Sequence, residues 1–524
     1  MRTGLVIGIL VLAQSMMAQT QRPATLFKQH IEVLAHDSLE GRLAGSEGER
    51  KAMRYITKQW KEMGYEVQTQ KVPIIKDRRP STKSYVKIDK KDIKWHLVRW
   101  SGEGKAQGTI KWLSCDEETD TTLNLEGRIP VMQECDFDPH HGPTFFERLS
   151  TLKRRGAQAI IIHPDAISEK DTNTAYTFQW YSIPIITIPT IDSTYDGKSI
   201  KLNIDIEIDS TYGYNVFVID ECQANCSGKT VVVSAHYDHL DKGVIGSRGE
   251  KGEVHNGADD NASGVAMVIE LSRKLKEIKH NRHNYLFVAF TAEEMGLVGS
   301  KHFVENPPYD LATTLANVNL DMVGRLDTLL QFLGAGSSSK WDKILSVLEK
   351  RHQKVAKFKW GGGGMGPSDH ASFYKKRIPV VHVFTGLHED YHKPSDDVDK
   401  INYRGMEITY IILTDLLSAL DTLNEMDYIE VKEEERSTTR FKVTLGIMPD
   451  YTFSGKGLKI DGVVKGKPAE RAGLQAGDII VKLGDYEIDN IYSYMEALSH
   501  FKKGDKTTVT VIRDGKEITK TVEF

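Results

Sequence analysis

Residues 231–239 read VVVSAHYDH, and four pieces of chain beginning with this one decide the fold. The other three read GADDNASG at 257–264, FTAEEMG at 290–296 and NVNLD at 317–321. In three of the four pieces, an apolar run rich in β-branched residues ends in a histidine or a carboxylate. The remaining piece is a polar turn that opens into an apolar helical pattern. Open parallel sheets bury their strands and display functional groups at the strand carboxyl ends, so this stretch predicts an α/β fold with an open, mostly parallel sheet flanked by helices.

The side chains at these predicted strand ends are of the kind that binds zinc. One histidine and three carboxylates of this stretch could form such a site, together with a further histidine in the segment EDYH at 389–392. Imidazole and carboxylate groups suit Zn²⁺, and this set is large enough for two ions that share a bridging carboxylate. Any one of these carboxylates alone is better explained as a helix cap or a salt-bridge partner. The ordered set is better explained as a metal site.

Adjacent Glu293 and Glu294 predict a division of roles, because neighbouring residues point in different directions. One of them would bind metal, and the other would accept a proton from water.

The ordered motifs H-x-D, G-x-D-D-N-x-S-G, A-E-E, a strand-end Asp and a C-terminal Y-H resemble metallopeptidase family 28, the co-catalytic zinc aminopeptidases with a zinc exopeptidase fold. The resemblance implies two zinc ions: His236 and Asp321 on one, Glu294 and His392 on the other, and Asp260 bridging them beside a cis peptide bond to Asn261. It also implies that Glu293 is the general base, that Asp238 orients His236 and that Asp259 binds neither ion. Tyr391 is expected either to contact substrate or an oxyanion, or to be a packed aromatic residue.

A further family element, Ser368-Asp369-His370, is interpreted as structural because both ions already have their ligands. The histidines without a match to the family are expected to be mostly exposed or structural, and they are His239, His255, His302, His382 and His388.

The peptidase domain is predicted to be discontinuous, over residues 24–75 and 212–424. Between these segments, residues 76–211 show short strand patterns with polar turns. The elements GAQAIII at 156–162 and IPIITI at 183–188 resemble a protease-associated domain, a lid-like insertion found in exopeptidases. Such a domain would bind no metal, and a role in restricting substrate access is a hypothesis.

Residues 425–440 are polar and charged, which favours a linker. Residues 441–524 contain AGLQAGDII at 472–480 and resemble a PDZ domain of the bacterial protease type, a β-barrel-like fold. Leu445, Gly446 and Ile447 match its carboxylate-binding loop, which would capture a peptide C-terminus by β-augmentation. A PDZ domain that only packs on the peptidase is an equal alternative.

The N-terminus indicates export. Arg2 precedes an apolar run over residues 5–13 that ends in SMMA at 15–18, which predicts a signal peptide cleaved near Ala18 and a periplasmic or secreted protein. This run is too short to span a bilayer, and no later stretch is long and apolar enough, so no membrane span is expected. Export permits disulfides; Cys222 and Cys226 are close enough in sequence to pair, and unpaired thiols are an equal alternative.

The 524 residues contain 69 Lys plus Arg and 73 Asp plus Glu, and the net charge of −4 argues against a nucleic-acid partner.

The motifs, the family that they resemble and the N-terminus together predict an exported di-zinc exopeptidase that removes N-terminal residues from peptides with a free N-terminus. The alternatives are a carboxypeptidase of the same fold, a glutaminyl cyclase and a non-catalytic binding protein. A cyclase typically works with one zinc, and a binding protein would be expected to lack a ligand or Glu293.

Overall fold

The structure is a computed structural model. It describes residues 22–120, 122–135, 145–167, 181–223, 225–249, 252–278, 282–431, 443–449, 456–463, 467–488, 493–494, 497–498, 500–502, 504–513 and 515–524. The predicted signal peptide lies outside these residues. The chain divides into two compact units, Met1–Lys76 with Asp209–Glu433, and Asp77–Ile208 with Glu434–Phe524.

The first unit is built on an eight-stranded sheet, counted over the described residues. Its strands are β1 (Gln68–Pro80), β2 (Ile206–Asp220), β3 (Thr230–His236), β4 (Asn284–Phe290), β5 (Thr314–Leu320), β6 (Leu329–Leu333), β7 (Lys357–Gly361) and β8 (Val380–Phe384). The order across the sheet is β1-β2-β4-β3-β5-β8-β6-β7. The central strands β4, β3, β5 and β8 are parallel, whereas β2 pairs with β4 and β6 pairs with β8 in the antiparallel direction. The predicted α/β fold with a mostly parallel sheet is therefore confirmed.

Helices cover both faces of this sheet because its central strands are apolar on both sides. The helices are α1 (Pro23–Leu34), α2 (Glu47–Glu62), α3 (Gly264–Ile278), α4 (Val298–Glu305), α5 (Ser339–His352), α6 (His370–Tyr374) and α7 (Tyr403–Leu420). Successive side chains of β3 point to opposite faces, so Val231 and Val233 join the core that contains Phe27 of α1, whereas Val232 joins the core that contains Phe303 of α4. The strands are thus clamped from both sides, which fixes the position of their carboxyl ends.

The insertion has its own sheet and its own apolar cores. Its strands, in sheet order, are Lys91–Asp92, Tyr85–Ile88, Ser199–Ile204, Gly104–Trp112, Arg128–Met132, Ile160–Ile162, Ile185–Thr187 and His96–Leu97, and its helices include Cys115–Thr119 and Phe145–Arg154. Ile129, Ile161 and Ile186 are fully buried in one of these cores. The short strands that the sequence predicts for this segment are therefore present. Cys115 is disulfide-bonded to Cys135.

The C-terminal region forms a small β domain. Its strands are Ile447–Pro449, Leu458–Val463, Ile479–Leu483, Tyr486–Glu487, Lys506–Arg513 and Lys516–Glu523, with a helix at Pro468–Arg471. Leu445, Ile460 and Val511 are buried in its core. The sequence predicts a helix over Tyr492–Leu498, and the described residues 493, 494, 497 and 498 are helical.

Part of the predicted linker packs on the first unit. Both carboxylate oxygens of Asp427 accept hydrogen bonds at the start of α5, from Ser338 and Ser339. The Val431 N–H donates to the hydroxyl of Tyr374, at 2.9 Å. Polar composition suggested a linker here, but these hydrogen bonds tie residues up to Val431 to the first unit.

Two further sequence predictions concern cysteines and membranes. Cys222 and Cys226 form a disulfide bond. None of the described helices is both long enough and apolar enough to cross a bilayer.

Candidate metal centre

Three adjacent strands of the parallel sheet deliver ligand-type side chains to one edge. His236 is the last residue of β3, and Asp321 directly follows β5. Glu293 and Glu294 follow the end of β4. Because β4, β3 and β5 are parallel neighbours, their carboxyl ends meet, and these four side chains come together.

The remaining two predicted ligands come from loops. Asp260 lies in the turn Ala258–Ser263 that leads into α3, and the Asp260–Asn261 peptide bond is cis, as the resemblance implied. His392 lies beyond β8 with a left-handed backbone, φ +58°. Ala292 and Met322, which adjoin the predicted base and a predicted ligand, are also left-handed, at φ +54°. Non-glycine residues with a left-handed backbone cluster at functional sites.

The five predicted ligands form two groups that share Asp260. In the first, His236 Nε2 lies 3.3 Å from Asp260 Oδ1 and 3.4 Å from Asp321 Oδ1. In the second, His392 Nε2 lies 3.2 Å from both Asp260 Oδ2 and Glu294 Oε2. Asp260 therefore offers one oxygen to each group, which is the arrangement of a bridging ligand.

These groups fit zinc. Around a tetrahedral Zn²⁺ with bonds of about 2.0–2.1 Å, neighbouring ligand atoms lie roughly 3.3 Å apart, which matches both groups. Asp321 Oδ1 is buried and has no hydrogen-bond partner among the described residues. Such an oxygen costs free energy unless a cation or donor meets it. The His392 Nδ1 donates to the Gly246 carbonyl at 3.0 Å, which leaves Nε2 free to bind a metal.

Electrostatics also favour a bound cation. Five carboxylates meet in this buried region, those of Asp238, Asp260, Glu293, Glu294 and Asp321. Removing that much like charge from water is costly without a compensating positive charge. Two divalent ions would supply it.

Glu293 lies beside the two groups at a longer distance. Its Oε2 is 3.9 Å from His236 Nε2. Burial, and then the charges of Glu294, Asp369 and Asp321, raise the pKa of the Glu293 carboxyl well above its usual range. A carboxyl with a raised pKa beside a metal centre is suited to carry a proton.

Asp238 supports the centre from behind. Its Oδ1 is 3.7 Å from His236 Nδ1, which is longer than a direct hydrogen bond, whereas its main-chain carbonyl lies 3.3 Å from the same nitrogen. Its two carboxylate oxygens accept hydrogen bonds from the main-chain N–H groups of Glu293 and Glu294, at 3.0 and 3.3 Å. The carboxylate therefore also fixes the A-E-E segment.

The Asp260 turn is held by groups that sequence reasoning did not identify. Asp396 Oδ2 accepts from the N–H groups of Asp259 and Asp260, both at 3.0 Å. Arg325 in turn donates to Asp396 Oδ1, at 3.0 Å. Asn261 donates to the Leu320 carbonyl at the end of β5, at 3.0 Å. No local motif marks Asp396 or Arg325, since each acts through chain-distant contacts.

Of the remaining predicted groups, Asp259 faces away from both metal groups. Its carboxylate accepts from Gly324 N–H at 2.6 Å and lies 3.1 Å from His388 Nε2. The Tyr391 ring stacks on the His392 ring with centroids 3.9 Å apart, and the Arg248 guanidinium lies 4.6 Å from the Tyr391 centroid.

His239 lies beside one of the predicted ligands. The sequence places it among the surface or structural histidines, but it is fully buried, and its Nδ1 lies 2.8 Å from Glu294 Oε1. Ligand atoms of His239, Asp260 and Glu294 all lie within 4.8 Å of one another. Its position next to Asp238 in the H-x-D motif was the available signal.

The predicted peptide-binding loop lies in the C-terminal domain. Leu445 is buried, Gly446 is left-handed at φ +72°, and Ile447 begins the outermost strand on the path of described strands. The Gly446 N–H donates to the Thr444 hydroxyl at 2.9 Å. The loop thus adjoins a sheet edge, which is the geometry that β-augmentation requires.

Comparison with known proteins agrees with this organisation. Residues 215–416 match the model of Peptidase family M28, and residues 429–524 match that of the PDZ domain. The aminopeptidase YwaD of Bacillus subtilis is 24% identical over 420 residues, covering 77% of this chain and 84% of that protein. The probable lipoprotein aminopeptidase LpqL of Mycobacterium tuberculosis is 23% identical over 289 residues, covering 54% of this chain and 55% of that protein.

Among solved structures, the aminopeptidase from Aneurinibacillus sp. strain AM-1 aligns with a TM-score of 0.51 and 22% identity, over 78% of this chain and 96% of that one. This likeness shows the shared fold.

Proposed function

We propose that this chain, whose residues 215–416 belong to peptidase family M28 and whose C-terminal region is a PDZ domain, is a di-zinc aminopeptidase. The observation that carries the proposal is the pair of ligand groups sharing Asp260, with separations of 3.2–3.4 Å between ligand atoms. His236 and Asp321 would hold one ion, and Glu294 and His392 the other. The name of the Bacillus subtilis relative supports an aminopeptidase in particular.

When bound, the two ions supply Lewis acidity that polarises a carbonyl oxygen and lowers the pKa of water. Glu293 takes the proton of the attacking water and passes it to the amine that leaves. Its buried position suits this task, because burial raises the pKa of the carboxyl and so makes the carboxylate a stronger base. Asp238 holds the Glu293 main chain through its N–H at 3.0 Å, so the base stays in place during turnover.

The charge of the site favours a substrate amine over a substrate carboxylate. The free N-terminus of a peptide is positive, and the surrounding carboxylates attract it. The Oδ1 of Asp321 would hold the metal, and we assign the second oxygen of the same carboxylate to pair with the positive amine. Tyr391, stacked on His392, is positioned to contact the peptide or the oxyanion.

A carboxypeptidase is the second candidate, because Arg248 is exposed near Tyr391 and offers a positive charge for a terminal carboxylate. The shared Asp260 argues against a one-zinc glutaminyl cyclase. The complete ligand set, with Glu293 present, argues against a non-catalytic binding protein.

The direct test is mass spectrometry of zinc-loaded protein incubated with peptides of varied first residue, including Gln, each with a free or an acetylated N-terminus. An aminopeptidase removes residues stepwise from the N-terminus, and acetylation blocks the reaction. Trimming from the C-terminus would establish the carboxypeptidase instead, and loss of ammonia from the Gln peptide alone would establish the cyclase. Absence of any product would contradict a general aminopeptidase.

We further propose export, with the signal peptide removed near Ala18, and capture of a peptide C-terminus by the loop over residues 445–447. The lipoprotein name of the Mycobacterium tuberculosis relative supports export. N-terminal sequencing of the mature protein tests the first proposal. Binding of peptides with free against amidated C-termini to the intact chain tests the second, because an amide removes the charge that the loop would bind.

A further inference from the structure

His239 contacts the opposite side of the Glu294 carboxylate from His392. Its Nδ1 lies 2.8 Å from Oε1, whereas His392 Nε2 lies 3.2 Å from Oε2. An ionised carboxylate has no proton to give, so the His239 ring donates Nδ1–H to Oε1. The two oxygens of Glu294 are thereby divided between two histidines, and Oε2 alone remains for a metal.

The His239 ring is fixed by its surroundings. Its main-chain N–H donates to the Arg42 carbonyl at 3.2 Å, and the side chain is fully buried. A Cβ atom on Gly257 would lie 2.5 Å from His239 Cδ2, so the ring packs directly against the turn that carries Asp260. Gly257 is left-handed at φ +56°, which a side chain would disfavour in any case. The ring therefore has little freedom to leave Glu294.

The second ring nitrogen, Nε2, is buried and has no hydrogen-bond partner among the described residues. A buried polar atom that is left unpaired costs free energy. A protein keeps such an atom where another atom of the same side chain makes an interaction that the site needs. The hydrogen bond to Glu294 is the polar side-chain contact that the structure gives this ring.

We propose that His239 is a positioning residue that holds Glu294 as a one-oxygen ligand for the second zinc. This inference rests on the proposed function, since it concerns the affinity of one of the two zinc sites. It adds a residue outside the motif set by which the family was recognised. The contact orients the ligand before the ion binds, and removing partners of this kind typically weakens metal binding by about 10–100-fold.

The test compares His239→Asn with His239→Gln. The Asn amide nitrogen can occupy the place of Nδ1 and keep the donation to Glu294, whereas the Gln amide nitrogen reaches toward the place of Nε2. His283→Asn is the control, because His283 is a buried imidazole before β4, at the other end of that strand, hydrogen-bonded to Ser227. Metal-free full-length proteins are titrated with Zn²⁺ against a chromogenic chelator, and their folding is checked by circular dichroism.

The unmodified protein and the His283 variant should each bind two zinc ions with the same pair of affinities. His239→Gln should weaken one of the two by about 10–100-fold and leave the other unchanged, and His239→Asn should recover most of that loss. Two unchanged affinities in the Gln variant would overturn the inference while leaving the proposed function standing. If both His239 variants lost zinc affinity equally, and His392→Asn still bound two ions, His239 would be a metal ligand. That result would overturn the positioning role. Binding of no zinc by the unmodified protein would overturn the proposed function and this inference with it.

Discussion

Two adjacent carboxyls acquire opposite properties from their surroundings. Burial raises the pKa of Glu293. For Glu294, burial and the charge of Asp260 oppose ionisation, but the neighbouring imidazoles of His239 and His392 outweigh them and lower its pKa. A carboxyl whose pKa is raised is suited to proton transfer, and one whose pKa is lowered is suited to bind metal. The division that the sequence predicted for A-E-E therefore has a physical basis in the two environments.

Replacing Glu293 by Gln should abolish most catalysis without releasing zinc. The amide keeps the size of the side chain but cannot accept a proton, so kcat should fall on the order of 10³-fold or more with little change in KM. Steady-state kinetics together with zinc analysis checks this. Glu294→Gln is the matched comparison and should lose zinc as well as activity. Near-normal turnover in the Glu293 variant would remove it from the role of base.

Glu49 should make stability depend on pH. Burial raises the pKa of this carboxyl to about 8, and its oxygens accept from the Thr291 hydroxyl and the Gly45 N–H. Because the folded pKa exceeds the unfolded one, its favourable contribution is complete below about pH 4.5 and is lost as the pH rises toward 8. Glu49→Gln resembles the protonated form, so the stability of the variant relative to the unmodified protein should rise on the order of 3 kcal/mol between pH 5.5 and 8.

Calorimetry at several pH values measures this difference. Glu47→Gln is the control, since Glu47 is exposed and pairs with Arg54 at 2.6 Å. Its stability difference from the unmodified protein should stay constant over the same pH range. A flat difference for the Glu49 variant as well would show that Glu49 is ionised in the folded protein.

At this scale, the sequence was sufficient to place the ligand-type residues together and to name Asp238 as a support, but not to find the other supports. His236, Asp260 and Asp321 are each announced by a local motif. Asp396 and His239 support the centre through hydrogen bonds to residues far away in the chain, and a local motif does not specify such partners.

The turn that carries Asp260 is stabilised by one buried arginine. The Arg42 guanidinium donates to the carbonyls of Leu34, Tyr237, Asn256 and Gly257. These carbonyls belong to α1, to the loop after β3 and to the segment before the Asp260 turn. One side chain therefore links three segments of the chain. Two of these segments adjoin the predicted ligands His236 and Asp260.

Replacing Arg42 by Lys should destabilise the peptidase unit substantially. An ammonium group cannot reach the same spread of carbonyls, and each buried carbonyl left unpaired costs about 1–3 kcal/mol. The loss should total about 3 kcal/mol or more and lower the melting temperature by roughly 5–10 °C. Arg54→Lys is the control, because Arg54 makes an exposed ion pair with Glu47 and such pairs contribute about 0–1 kcal/mol. Equal melting temperatures for both variants would contradict the structural role of Arg42.

Elements with strong apolar periodicity were predicted well. The apolar helical pattern that follows the polar turn at 257–264 is observed as the helix Gly264–Ile278, and the apolar run Leu329–Leu333 is a strand with those bounds. The polar composition of residues 427–431 favoured a linker, but Asp427 caps α5. A charged residue that caps a helix cannot be told from a linker residue by composition. The antiparallel pairing of β2 and β6 also depends on long-range topology that local patterns do not encode.

The molecule combines units with separate cores. The two cores of the peptidase unit draw no residue from beyond Tyr428, among the residues that the structure describes. The C-terminal domain has a core of its own, which includes Leu445, Ile460 and Val511. The peptidase unit should therefore fold without the PDZ domain.

Truncation after Glu433 should leave the chemistry intact. For a short peptide with a free N-terminus, kcat/KM should stay within about twofold of the full chain, a change of less than about 0.5 kcal/mol. Zinc content should also be unchanged. The same comparison with peptides that carry a free C-terminal carboxylate tests whether the PDZ domain contributes to substrate capture. Loss of zinc on truncation would contradict the independence of the peptidase core.

The central claim is that Asp260 bridges two zinc ions. Anomalous diffraction at the zinc edge from crystals of zinc-loaded protein tests it most directly. The account predicts two peaks about 3.5–4 Å apart on either side of Asp260, one beside His236 and Asp321 and the other beside Glu294 and His392. A single peak, or a second peak away from Asp260, would contradict it.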